Sequence, residues 1–190
     1  MRLVLLAGFV LLSSRTDAAE KQLKPFIAVT FGGGTTFVLV EAARKPNVAI
    51  GVGAAMLWDL VGFDVDVAHA PGFFSGDQTL VLASSVTTVT GSVIVTLPRR
   101  MTEYSLRPYF VGGAGFMRVR IGDVFEALKV RDTLATIDIG GGATGFVTDT
   151  WGLCWDVRYF RGFSDAQVRG VSFGPERLSF WRASMAVVLR

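Results

Sequence analysis

The chain has 190 residues, 51% of them hydrophobic and only 18% charged, with a mean hydropathy of +0.46. Soluble domains carry about 25% charged residues, and a chain this apolar, with 22 glycines, is neither disordered nor a coiled coil. The net charge of +3 is scattered and builds no basic stripe for nucleic acid, while one cysteine and one histidine exclude an internal disulfide and a zinc cluster.

Arg2 precedes the apolar run Leu3 to Leu12, and Thr16-Asp17-Ala18-Ala19 offers small residues for cleavage. This is the layout of a secretory signal peptide over 1–18, which leaves a single domain over 19–190. The run is short of the ~20 residues that a spanning helix needs, and no later apolar stretch is long enough either.

Beyond the signal segment, apolar and polar or small residues alternate with a period of two. Pro25 to Val38 sets Val29 and Phe31 against Thr30, then runs into three glycines. Asn47 to Trp58 sets Val48, Ile50, Val52, Ala54 and Met56 against Ala49, Gly51, Gly53 and Ala55. Phe63, Val65 and Val67 alternate with Asp64, Asp66 and Ala68. From Thr88 to Leu97, Val89, Gly91, Val93, Val95 and Leu97 oppose Thr88, Thr90, Ser92 and Thr96, with Ile94 the exception on the polar face. Tyr109, Val111, Met117, Val119 and Ile121 share a parity opposite Gly112, Ala114, Arg118 and Arg120. Ile137 and Ile139 oppose Thr136 and Asp138, and Leu153, Trp155, Val157 and Tyr159 oppose Cys154, Asp156 and Arg158. Trp181, Ala183, Met185, Val187 and Leu189 close the series against Arg182, Ser184 and Ala186.

Tight turns at Trp58-Asp59-Leu60 and Thr148-Asp149-Thr150 contrast with longer polar connections over Glu41 to Pro46, His69 to Gln78, Gly122 to Asp132 and Arg161 to Glu176. Pro98 to Ser105 is intermediate. About eight strands, with short turns at one end and long loops at the other, predict an all-β fold: a single eight-stranded antiparallel up-and-down transmembrane β-barrel. Closure is required, because hydrocarbon tolerates no open sheet edge.

A soluble sandwich would turn a Lys- and Glu-rich face to water. Here the polar face carries Gly, Ala, Thr, Asp and Arg, which suits a narrow lumen, and the apolar face suits lipid. The inward charge network is expected to comprise Asp64, Asp66, Asp138 and Asp156 with Arg118, Arg120, Arg158 and Arg182. Pairing is expected because an unpaired buried charge costs several kcal/mol. Trp58, Tyr109, Trp151, Tyr159 and Trp181, near strand ends, are expected to form the interfacial aromatic girdles.

The segments Arg107-Pro108-Tyr109-Phe110-Val111-Gly112-Gly113-Ala114-Gly115, Gly140-Gly141-Gly142-Ala143 and Trp155-Asp156-Val157-Arg158-Tyr159-Phe160 resemble the fifth, sixth and seventh strands of small bacterial outer-membrane barrels, the OmpA-like or opacity-type β-barrel domain. The resemblance spans roughly Pro25 to Arg190 and implies export across the inner membrane, insertion by the barrel assembly machinery and residence in outer-membrane lipid. Members of that family often end in an aromatic residue, whereas this sequence ends Val188-Leu189-Arg190.

The expected function is non-enzymatic: a structural or surface-interaction role, with at most small-solute conduction through a narrow, charge-paired lumen. One alternative is a barrel enzyme acting on lipid A through His69, the sole histidine, which lacks a local Ser or acid motif. Another is a secreted lipocalin-like carrier, with apolar side chains inside. No catalytic, cofactor or metal site is predicted, no nucleic acid is expected, and the long loops are the expected contact surface for a partner the sequence does not name.

Overall fold

The computed structural model describes residues 19–35, 41–42, 46–75, 83–97, 106–122, 129–164, 167–168, 171–172 and 176–190. The expected signal peptide, 1–18, lies outside them. Eight long strands run in chain order: β1 (Glu20–Thr35), β2 (Asn47–Leu57), β3 (Val61–Pro71), β4 (Ala83–Thr96), β5 (Leu106–Gly122), β6 (Lys129–Phe146), β7 (Trp151–Ser164) and β8 (Glu176–Leu189). Each pairs antiparallel with its sequence neighbours, and β8 pairs with β1, so the sheet is a closed barrel. Two-residue strands pair Glu41–Ala42 with Phe74–Ser75, and Gln167–Val168 with Val171–Ser172, at the long-loop end.

The cross-strand register fixes how the strands lean. Glu20 pairs with Leu57, Leu57 with Gly62, Gly62 with Ile94 and Ile94 with Val111. Val111 pairs with Gly140, Gly140 with Arg158, Arg158 with Arg182 and Arg182 with Thr30. One circuit therefore enters β1 at position 20 and returns to it at position 30, a stagger of ten residues. Strands so staggered tilt by about 40° from the barrel axis. Each step from β1 toward β8 climbs a little over one residue toward the long-loop end.

Burial alternates residue by residue, as in β3 from Val61 to Pro71, where every second side chain is buried. Exposed positions carry Ile27, Ile50, Phe63, Val93, Ile139 and Trp155, among many other large apolar side chains. So much exposed apolar surface matches hydrocarbon rather than water. A soluble ligand carrier would reverse the arrangement, placing the charges outside.

The parity expected from sequence holds in every strand except β5. There Tyr109, Val111, Met117 and Val119 point inward and are buried, while Phe110, Phe116, Arg118 and Arg120 point outward. Phe110 and Phe116, 77% and 63% exposed, are the large apolar side chains on the outward face of this strand. The inward Met117 and Val119 show that the lumen is partly apolar, so apolar character alone does not mark the outer face. Strands also run past their expected ends: β3 continues through His69 to Pro71, β6 starts at Lys129, and β7 extends to Ser164.

Two glycines, Gly72 and Gly140, show how the interior is shaped. Gly72, with φ of 66°, turns the chain after β3 so that Phe73 enters the barrel mouth. At Gly140 on β6, a Cβ would meet the Val157 carbonyl oxygen and come within 2.8 Å of the Arg158 Cα, so its absence leaves room for the Arg158 side chain.

Candidate functional site

The lumen is filled in three layers. At the long-loop end, Phe73, Phe160, Phe180, Met117, Leu134 and Leu178 are almost completely buried. Phe73 meets Phe180 edge-on at 4.9 Å between ring centroids, and Phe180 stacks on Phe160 at 5.2 Å. The turn that delivers Phe73 is pinned to β4, because Gly72 donates its N–H to the Ser84 carbonyl and Phe74 donates its N–H to the Ser84 hydroxyl at 3.0 Å.

The middle layer is ionic. Arg158 Nη2 donates to Asp64 at 2.9 Å, its Nε donates to Asp156 at 2.9 Å, and its Nη1 lies 3.7 Å from Asp138. Lys24 Nζ reaches the other oxygen of Asp64 at 2.6 Å. Hydroxyls add further hydrogen bonds to two of the carboxylates: Ser92 donates to Asp138 at 3.3 Å and Ser184 to Asp156 at 2.5 Å. Next to this cluster, Arg182 forks onto both oxygens of Asp66 at 2.9 and 3.0 Å. Its guanidinium also lies over the rings of Phe26 and Phe160, at 5.0 and 4.6 Å from their centroids. Three cations thus face four carboxylates, all buried, and the bidentate fork and ring contacts offset part of the desolvation of Arg182.

The lowest layer, at the short-turn end, leaves a space of only about 10 Å³, room for about one water, lined in part by Gln22, Lys24, Arg107 and Tyr109. Arg107 donates to the Asp59 carbonyl at 2.9 Å and to Thr96 at 3.1 Å.

Of the eight residues expected in the lumen network, the structure brings Asp64, Asp66, Asp138, Asp156, Arg158 and Arg182 together there. Arg118 and Arg120 are exposed on the outer wall, because β5 has the opposite parity to that expected. Two cations that sequence reasoning missed, Lys24 and Arg107, point inward instead. Lys24 shares the parity of Thr30, so the signal was present once the strand is started at Glu20 rather than Pro25.

Among the expected girdle aromatics, Trp58 and Trp151 flank the short turns on the outer wall, and Tyr159 and Trp181 pair outside at 5.1 Å between centroids toward the long-loop half. Tyr109 is the exception. It is 6% exposed and faces the lumen, where its hydroxyl lies 3.3 Å from Asp156 and 3.1 Å from the Cys154 sulfur. Tyr109→Phe is expected to cost only ~0.5–1.5 kcal/mol in urea unfolding from micelles, since Asp156 keeps Ser184 and Arg158. A girdle residue would show its loss as weakened membrane partitioning with unfolding energy unchanged.

His69 is exposed on the outer wall, and its Nδ1 lies 2.9 Å from the Thr87 hydroxyl. Among the described residues no carboxylate joins this pair, and no group of His, Cys, Asp and Glu is placed to hold a metal ion.

No family model and no curated protein matches the sequence. Solved structures do match. Neisserial surface protein A aligns at a TM-score of 0.62 with 14% identity, over 90% of this chain and 99% of that one. The solution structure of the E. coli outer membrane protein W aligns at 0.58 with 14% identity, over 93% and 100%. The outer membrane protein OprG from Pseudomonas aeruginosa aligns at 0.54 with 11% identity, over 90% and 95%. At these identities the likeness is one of fold, and the fold of this chain is that of the small eight-stranded outer-membrane β-barrels.

Proposed function

We propose that the protein is a non-enzymatic barrel of the bacterial outer membrane, exported by a cleaved signal peptide. Its role on this reading is structural or surface-interacting, with at most small-solute conduction. The observation that carries the reading is the filled lumen: among the described residues, an aromatic stack occupies one end and an ionic layer the middle. Eight strands give an interior that side chains fill, so a wide resting pore has no room. The apolar outer wall supports residence in lipid, and Trp58, Trp151, Tyr159 and Trp181 are placed to serve as its interfacial aromatics. The surrounding lipid, the barrel assembly machinery during insertion and a surface partner at the long loops are the partners this reading implies.

Two measurements test it. Membrane fractionation should recover the mature chain in the outer membrane, with a gel mobility that changes on boiling. Recovery as a soluble periplasmic protein defeats the reading. In planar bilayers the wild type should show little or no steady conductance, and a large, constant open level defeats the closed lumen.

A further inference from the structure

We propose that the outer wall over β5, β6 and β7 binds one lipid with a phosphomonoester headgroup, drawn from the leaflet beside the long loops. The inference rests on the barrel being membrane-embedded.

The charge distribution is one-sided. Among the described side chains, the outward positions of the eight strands include no Asp or Glu. Among the described side chains, the exposed outward cations toward the long-loop end are Arg118, Arg120 and Arg161. Neither Arg118 nor Arg161 has a carboxylate partner among the described residues. Arg161 lies only near the Phe163 ring, at 5.4 Å. By register, Ala114 pairs with Ile137 and Ile137 with Arg161. Two steps of the strand climb therefore bring Arg161 on β7 level with the stretch of β5 between Phe116 and Arg118.

Between these two arginines the wall is hollow. Ala135 on β6 is the small residue at the centre, and Phe116 and Phe163 are its cross-strand neighbours on either side. They belong to an open groove of about 440 Å³ that continues down to Ala114 and Ile137 in the apolar band. Two arginines flank the upper part of an apolar groove. An arginine on the lipid side is tolerated near the interface, where its head reaches polar groups, and guanidinium binds phosphate through paired N–H donors. The ligand that matches both parts is an amphiphile: a doubly ionisable phosphate above and an acyl chain below. Free phosphate uses only the upper part.

The test is native mass spectrometry of the full barrel released from nonionic detergent, titrated with phosphatidic acid and with phosphatidylcholine of the same chains. One charge-assisted contact is worth about ten-fold in affinity, so phosphatidic acid should bind about ten-fold more tightly than phosphatidylcholine. The double variant Arg118→Gln/Arg161→Gln should erase that preference, while Lys21→Gln, on the outer wall near the short turns, should keep it. Ala135→Trp, which fills the groove, should weaken both lipids and leave the preference intact. Inorganic phosphate at matched concentration should not displace the lipid. Heat-modifiable mobility of each variant confirms that it is folded. Equal binding of the two lipids, an undiminished preference in the double variant, an equal loss in Lys21→Gln, no weakening by Ala135→Trp, or displacement by inorganic phosphate each overturns the site. A chain that stays soluble and monomeric without detergent instead defeats the membrane-barrel reading itself, so the two failures are told apart.

Discussion

Arg158→Ala is expected to lower the unfolding free energy of the barrel in micelles by ~3–5 kcal/mol, the range for removing one partner of a buried ionic cluster. Among the described residues, Arg158 is the one cation that touches three carboxylates, Asp64, Asp138 and Asp156. Without it Asp64 retains Lys24, whereas Asp138 retains only Ser92 and Asp156 only Ser184 and Tyr109 within the lumen. Most of the cost is the stranded charge rather than the lost contact, which gives the prediction a second part. Adding Asp156→Asn to Arg158→Ala should restore part of the stability, so the double-mutant cycle should show a coupling of about 0.5–3 kcal/mol. Urea titrations of the four proteins measure it, and additive losses would show that the cluster does not act as a unit.

Val93→Arg is the second large effect. Val93 is exposed on the outer wall and sits in register between Phe63 on β3 and Gly112 on β5, well below the row of Arg118. A charge there has no interface within reach and is expected to cost ~2–4 kcal/mol of stability in a bilayer. Val93→Leu should stay within about 0.5 kcal/mol of wild type. Refolding into lipid vesicles with denaturant titration measures both. A Val93→Arg barrel as stable as wild type would mean that this wall is wetted.

Much of this architecture was legible in the sequence because a barrel strand writes its two environments directly into a period of two. β3 is the clearest case: Asp64 and Asp66 alternate with Phe63, Val65 and Val67, and all five point where the alternation places them. β5 misled for a physical reason. Its inward positions include Val111, Met117 and Val119, which pack in the occluded lumen, and its outward positions include two arginines beyond the apolar band. Both departures invert the rule that apolar means outside, and only Phe110 and Phe116 argue the other way. Lys24 and Arg107 were missed because they lie in the first residues of their strands beside the short-turn rim, where sequence alone does not separate strand from turn. The aromatic stack was not legible either. Phe73 reaches it from outside the regular strand, through the left-handed Gly72, and Phe160 and Phe180 meet only once β7 and β8 are side by side.

The separation along the chain between the ionic partners has a consequence for how the molecule is made. Asp64 meets Arg158 94 residues later, and Asp66 meets Arg182 116 residues later. A half-built wall ending at β6 holds Asp64, Asp66 and Asp138 in the nascent interior with Lys24 as the one cation of the ionic layer already in place. Such a species cannot dry out, because its carboxylates still require water. Only the arrival of β7 and β8 supplies the two guanidiniums, and the same step lets β8 zip onto β1. Dehydration of the interior and sealing of the seam are thus tied to a single late event. Contacts this distant along the chain make that event slow, and a chain that lacks the last two strands keeps both its lumen carboxylates and its seam unpaired.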